Sequence, residues 1–238
     1  MQIHINGVNL YYKKRGQGQP LILLHGNGQD HTIYRAMTKK LSCCFTVYAI
    51  DSRSHGRSTR TEKLDYETLM EDVVDFIKAL EIEKPIIFGF SDGGIIGLLV
   101  ALHYPQMLCR LIIGGANTNP DGLKNYAIVF LKIAYFFSGS SKIKMMLTEP
   151  NITAEDLHKI IVPTLVLAGR YDIVKEDDTK FIASNINGSM LKIIKGESHT
   201  SYVLDGKKLY ETIRTFIDGV SCGCHNNECK THLLTPWK

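Results

Sequence analysis

A serine between two glycines is the residue whose surroundings most favour nucleophilic chemistry. Ser91 lies in "IIFGFSDGGII", with Gly89 and Gly93 at the spacing G-x-S-x-G. The apolar runs on both sides predict a strand, a very sharp turn and then a helix. Such a turn strains the backbone of the serine and leaves room only for small neighbours. The same pattern also fits an ordinary strand-to-helix turn, so Ser91 needs chemical partners before it is interpreted as a nucleophile.

Those partners are a general base and an acid that orients it, because a serine hydroxyl is a poor nucleophile near neutral pH. His199 follows the strand pattern "MLKII", and Asp172 follows the apolar run "PTLVLAG" before it. Asp177 and Asp178 compete with Asp172. They open a predicted helix, however, where acidic residues are explained by the helix dipole. We therefore predict a triad of Ser91, Asp172 and His199.

Acyl transfer also needs donors for the oxyanion of the tetrahedral intermediate. The stretch "LILLHGNGQD" predicts a strand followed by a glycine-containing loop, in which backbone N–H groups can point inward. We predict that the N–H groups of Asn27 in this loop and of Asp92, directly after Ser91, form the oxyanion hole. His25 is interpreted as a residue that braces the loop.

The elements that must position these residues follow an α/β pattern. Short apolar runs such as "FTVYAID" and "CRLIIGG" alternate with helical patterns such as "YETLMEDVVDFIKAL". Runs of this kind are typical of parallel strands buried on both faces. An N-terminal hairpin is predicted around Asn6-Gly7. The pattern as a whole predicts a doubly wound sheet with an antiparallel start.

One segment interrupts this alternation. From about residue 117 to 160 we find no strand pattern, and "YAIVFLKIAYFF" is strongly apolar with a single charge. We interpret the segment as a small helical cap inserted between strands. Its aromatic residues Phe130, Tyr135, Phe136 and Phe137, together with Asp92, are predicted to contact the substrate.

Together, "LILLHGNG", "AIDSRSHGRS", "IIFGFSDGG", "IVPTLVLAGRYD" and "GESHTSYV" resemble the α/β-hydrolase superfamily, in its esterase, lactonase and C–C hydrolase branch. The resemblance covers about residues 8 to 218. It implies an eight-stranded, mostly parallel sheet flanked by helices, with a cap after the sixth strand. A serine nucleophile is unlike the aspartate of haloalkane dehalogenases and most epoxide hydrolases. One departure is Ser54, where relatives usually have glycine.

The resemblance implies a serine hydrolase that cleaves small carboxylic esters, thioesters or lactones through an acyl-enzyme. The elbow "GFSDGG" is also similar to that of valacyclovir hydrolase relatives, in which the acid after the nucleophile is thought to meet a substrate amino group. An aminoacyl-ester hydrolase or aminopeptidase-like enzyme is therefore the first alternative. The second is a hydrolase-fold sensor that binds a small ligand with little turnover.

Composition limits the remaining possibilities. The chain has 238 residues with 28 basic and 24 acidic ones, a net charge of +4 that gives no indication of nucleic-acid binding. No apolar run reaches the roughly 20 residues of a membrane span, and no signal-peptide pattern begins the sequence. We expect a cytoplasmic protein with one domain over residues 1–220, a small-molecule ester as partner, and no cofactor or metal. Residues 221–238, with Cys222, Cys224 and Cys229, are predicted to be a disordered extension.

Overall fold

The structure, a computed structural model, describes residues 1–218 of the chain. The strands in this part are β1 (Gln2–Ile5), β2 (Val8–Arg15), β3 (Gln19–Leu24), β4 (Phe45–Ile50), β5 (Ile86–Phe90), β6 (Arg110–Gly114), β7 (Thr164–Tyr171) and β8 (Met190–Ser198). The α-helices are α1 (Arg35–Leu41), α2 (Tyr66–Ala79), α3 (Asp92–His103), α4 (Asn125–Ser138), α5 (Ser141–Thr148), α6 (Ala154–His158), α7 (Glu176–Asn185), α8 (Ser201–Leu204) and α9 (Gly206–Asp218). Short 3₁₀ helices lie at His31–Tyr34 and Pro120–Gly122.

The strands form one eight-stranded sheet in the order β1-β2-β4-β3-β5-β6-β7-β8. β1 pairs with β2, and β2 with β4, in antiparallel fashion, and the other pairs are parallel. The predicted hairpin turns at Asn6 and Gly7, whose φ angles of 47° and 72° suit a tight two-residue connection. The eight-stranded, mostly parallel sheet expected from the sequence is confirmed. Its carboxyl-terminal edge gathers the ends of β5, β6, β7 and β8.

Helices cover both faces of the sheet, and the central strands β5 and β6 therefore bury both sets of their alternating side chains. In β3, Ile22 and Leu24 pack into the apolar layer formed with α2, α3, α6 and α7. Leu21 and Leu23 point to the opposite layer, formed with α1, α8 and α9. This double burial explains why the central strands have continuous apolar sequences.

The segment between β6 and β7 contains the Pro120–Gly122 helix and α4 to α6, where the cap is predicted. α4 packs against α5 and the Pro120–Gly122 helix. Among residues 1–218, no helix combines the length and the apolar character needed to cross a membrane. The predicted extension, residues 221–238, lies outside the described residues.

Candidate active site

A sharp turn between β5 and α3 presents Ser91. Its φ of 54° and ψ of −119° are unfavourable for a residue with a side chain. The Ser91 N–H donates to the carbonyl of Gly114 at 2.8 Å, which holds the turn against β6. A Cβ atom on Gly89 would lie 2.0 Å from the carbonyl oxygen of Gly93. A Cβ atom on Gly93 would lie 2.1 Å from the carbonyl oxygen of Leu24 in β3. Gly89 is therefore required where β5 touches α3, and Gly93 where α3 touches β3.

The structure brings the three residues of the predicted triad to hydrogen-bonding distance of one another. His199 Nε2 lies 3.2 Å from Ser91 Oγ, and His199 Nδ1 lies 2.6 Å from Asp172 Oδ1. Strands β7 and β8 are longer than the apolar stretches in the sequence predict. Their last residues are polar or exposed, yet they still pair with each other in the sheet. Asp172 and His199 consequently follow their strands directly, with no intervening loop.

The acid of this group is buried and held by the backbone. Asp172 is 2 % exposed, and its carboxylate accepts the N–H of Val174 at 3.0 Å and of Gly169 at 3.3 Å. The competing acids lie elsewhere. Asp178 accepts both the N–H and the hydroxyl of Thr118, and Asp177 is exposed at the start of α7. Of the three acids, Asp172 is the one within hydrogen-bonding distance of His199.

A glycine that the sequence analysis did not single out makes room for the base. Gly115 follows β6 with a φ of 62°, and a Cβ atom there would lie 2.8 Å from His199 Cε1. On another side, the His199 imidazole packs on Phe90, with ring centroids 4.8 Å apart. The glycine pair at the end of "CRLIIGG" was the available signal, since paired glycines after a strand often mark a close approach.

The loop after β3 lies directly against the nucleophile. A Cβ atom on Gly26 would approach the Ser91 Cβ atom to 2.9 Å. As the first residue of α3, Asp92 has no intrahelical acceptor for its N–H, and within residues 1–218 no acceptor takes the N–H of Asn27 either. His25 accepts the N–H of Ser52 at 3.1 Å. The Asn27 loop therefore lies against Ser91, Asp92 follows Ser91 directly, and His25 ties the Asn27 loop to the residues just after β4.

Side chains also link the two predicted oxyanion donors. The Asn27 amide donates to Asp92 Oδ2 at 2.9 Å and to the carbonyl of Lys142, in α5, at 3.2 Å. The Tyr66 hydroxyl donates to Asp92 Oδ1 at 2.9 Å. Burial raises the pKa of the Asp92 carboxyl, whereas the hydrogen bonds from Asn27 and Tyr66 and the nearby His199 oppose that rise. No local sequence pattern predicts the contacts of Tyr66 and Lys142 with this site.

Most of the aromatic side chains predicted to contact substrate are exposed to solvent. Phe130, Phe136 and Phe137 of α4 are 69 %, 83 % and 81 % exposed, and Phe136 and Phe137 pack edge to face on each other. Tyr135 is half-buried. Their role as substrate contacts stays a prediction.

A cluster of titratable side chains lies in the loops beside the site. Among the described residues, Asp30, His31 and Asp51 place potential ligand atoms within 4.8 Å of one another. His31 bonds to Asp51 at 2.7 Å, so hydrogen bonding accounts for this cluster without a metal.

Ser54 has a φ of 63°, which explains the glycine of relatives, and its hydroxyl accepts the N–H of Thr61 at 2.9 Å.

Comparisons with known proteins agree with this architecture. The human protein named serine hydrolase BPHL (Homo sapiens) is 28 % identical over 235 residues, which cover 85 % of this chain and 80 % of that one. The solved structure of an esterase (EaEST) from Exiguobacterium antarcticum has a TM-score of 0.80 and 21 % identity, covering 90 % of this chain and 97 % of that one. The enol-lactonase from Burkholderia xenovorans LB400 has a TM-score of 0.76 and 18 % identity, covering 92 % of this chain and all of the other.

The family-level match covers the elbow and the loop beside it. The sequence model of the alpha/beta hydrolase fold family matches residues 19–139, from β3 through α4. This range includes Ser91, Asn27 and Asp92. With the eight-stranded sheet and the turn at Ser91, the match shows that the chain belongs to the α/β-hydrolase family.

Proposed function

We propose that this protein is a serine hydrolase that cleaves small carboxylic esters, thioesters or lactones through an acyl-enzyme intermediate. The observation that carries the proposal is the hydrogen-bonded row from Ser91 Oγ through His199 to Asp172, with distances of 3.2 and 2.6 Å. The row begins at a strained elbow of a fold that presents nucleophiles in this way.

In the proposed reaction, each member of this row has its own role. His199 Nδ1–H donates to the Asp172 carboxylate, which leaves Nε2 to accept the proton of the Ser91 hydroxyl. Ser91 Oγ then attacks the carbonyl carbon, and the resulting oxyanion accepts the N–H groups of Asn27 and Asp92. The protonated His199 returns its proton to the leaving alcohol, thiol or lactone oxygen. A water molecule, activated by the same His199, then releases the acid and restores Ser91.

Similar proteins support the ester and lactone substrate class. Those described above carry the names serine hydrolase, esterase and enol-lactonase. The sensor alternative has less support, because a ligand sensor does not need a base positioned 3.2 Å from a serine hydroxyl and oriented by a buried acid.

The aminoacyl-ester alternative depends on Asp92. Its carboxylate is 4 % exposed, and each oxygen already accepts a hydrogen bond, from Asn27 or from Tyr66. These bonds favour a bracing role for Asp92 over contact with a substrate ammonium group. The plain ester and lactone hydrolase is therefore the function that we propose.

The test compares the wild type with Ser91→Ala and with a second serine variant, Ser184→Ala on α7. Purified proteins are treated with a fluorophosphonate probe and assayed with nitrophenyl esters of graded acyl length and with lactones. We expect Ser91→Ala to lose labelling and to lower turnover on the order of 10⁴-fold, with an unchanged Tm. Ser184→Ala should behave as the wild type. Persistent labelling of Ser91→Ala would place the nucleophile elsewhere.

A further inference from the structure

One side of α4 exposes large apolar side chains to solvent. Their exposed fractions run from 54 % at Ile133 to 83 % at Phe136. This outer face of α4 consists of Tyr126, Val129, Phe130, Ile133, Phe136 and Phe137. Spacings of three and four residues place all six on the same side of the helix. They form a continuous strip, which differs from the isolated exposed apolar residues of an ordinary protein surface.

The opposite side of α4 already accounts for its attachment to the protein. Ala127 is buried, and Leu131, Ala134 and Tyr135 are half-buried where the helix meets α5 and the Pro120–Gly122 helix. The outer face is therefore not needed for packing within residues 1–218. An exposed apolar surface of this size indicates a site of interaction with another apolar surface.

The chain segment that carries the outer face of α4 is basic. Residues 122–148 contain four lysines and no acidic residue. Lys132 and Lys144 are exposed, and Lys124 and Lys142 are half-buried. Burial and the neighbouring Arg60 guanidinium both lower the pKa of the Lys142 amine. Two positively charged groups, those of Lys142 and Arg60, thus lie near each other.

We propose that the outer face of α4 binds an anionic lipid surface. Aromatic and aliphatic side chains on one side of a helix enter the boundary between headgroups and acyl chains, and the flanking lysines bind the acidic headgroups. At 14 residues, α4 lies along such a surface and does not cross it. A second copy of the chain fits less well, because a symmetric contact would bring Lys132 and Lys144 of both copies together.

This proposal does not depend on the proposed hydrolase activity, since its readout is binding. Co-sedimentation is measured with vesicles of phosphatidylcholine alone and with vesicles that contain an equal amount of phosphatidylglycerol. We expect the wild type to bind the anionic vesicles about tenfold or more tightly than the neutral ones, and added salt to weaken that binding.

Two isoleucines provide a matched pair of variants. Ile133→Glu places a charge in the middle of the outer face, and Ile161→Glu makes the same change at a residue that is 61 % exposed just before β7. We expect Ile133→Glu to lose at least tenfold in vesicle affinity and Ile161→Glu to retain it. The double variant Lys132→Gln/Lys144→Gln should lose about tenfold for anionic vesicles and little for neutral ones.

Several results would overturn the proposal. One is the absence of wild-type binding to anionic vesicles. Another is an equal loss of vesicle binding in Ile133→Glu and Ile161→Glu, because the change in the net charge of the protein would then explain the loss. A third is a wild-type dimer, detected by analytical ultracentrifugation, that Ile133→Glu dissociates while vesicle binding is absent. That result would assign the outer face of α4 to a second copy of the chain.

Discussion

Replacing Gly115 with alanine tests whether the position of His199 is required for turnover. The new Cβ atom would lie 2.8 Å from His199 Cε1, whereas ordinary contacts of this kind begin at 3.4 Å. The imidazole must therefore give way by about 0.6 Å. The distance from His199 Nε2 to Ser91 Oγ is already 3.2 Å, and a displacement of this size away from the hydroxyl takes it past the limit of ~3.5 Å for a hydrogen bond.

The expected loss of activity follows from this displacement. A misplacement of about 1 Å in a catalytic constellation costs on the order of 100-fold, so we expect kcat/KM to fall by about that factor. The substitution also forces alanine into a left-handed conformation, at a cost of roughly 1–2 kcal/mol in stability. The loss of stability has to be separated from the loss of activity that follows from the displacement of His199.

Gly139 provides the matched control. It has a φ of 58°, close to the 62° of Gly115, and a Cβ atom there has no neighbour within 4 Å. Gly139→Ala should therefore lower Tm to a similar extent and leave kcat/KM for a nitrophenyl ester unchanged. Assays are run well below both Tm values. If Gly115→Ala keeps activity within about threefold of Gly139→Ala, the assignment of His199 as the base is refuted.

Three further predictions concern the elbow. If Asp92 braces the elbow, Asp92→Asn should change kcat/KM for an aminoacyl ester and for its des-amino analogue by the same factor. A selective loss of roughly 30- to 3,000-fold, equivalent to about 2–5 kcal/mol, would instead show a contact with the ammonium group. Because burial raises the pKa of Asp92, ionised Asp92 costs folding stability above that pKa. Urea unfolding should therefore show the stability of Asp92→Asn, relative to the wild type, increasing as pH rises from about 3.8 through the raised pKa; a constant difference would contradict this. Gly93→Ala places a Cβ atom 2.1 Å from the carbonyl oxygen of Leu24, and it should destabilise the protein by about 3 kcal/mol or more. An unchanged Tm of this variant would contradict the prediction.

The sequence predicts the sheet and the sharp turn at Ser91 well because both depend on local patterns. Strands buried on two faces leave apolar runs, and the turn at Ser91 requires glycines at fixed positions. The contacts of Asp92 could not be predicted in the same way. Tyr66 lies 26 residues before it and the Lys142 carbonyl is 115 residues from Asn27, so the fold alone brings these groups together.

The exposure of α4 illustrates another limit of sequence patterns. A helix with apolar residues on nearly every side gives no indication of which side packs against the protein. The sequence pattern of α4 alone therefore does not predict that the side chains of Phe136 and Phe137 are exposed, as they are in the structure. The orientation depends on how α4 meets α5 and the preceding 3₁₀ helix, and neither contact has a signature in the sequence of α4 itself.

The bond from the Asn27 amide to Lys142 has a consequence for how the enzyme can diversify. Its acceptor in α5 is a main-chain carbonyl, so the bond survives any side chain at position 142 that keeps the helix. Selection or directed evolution can therefore vary the α5 side chains and still retain the anchor of the Asn27 loop. The identity of the α5 side chains and the support of the Asn27 loop are thus separable within one short helix.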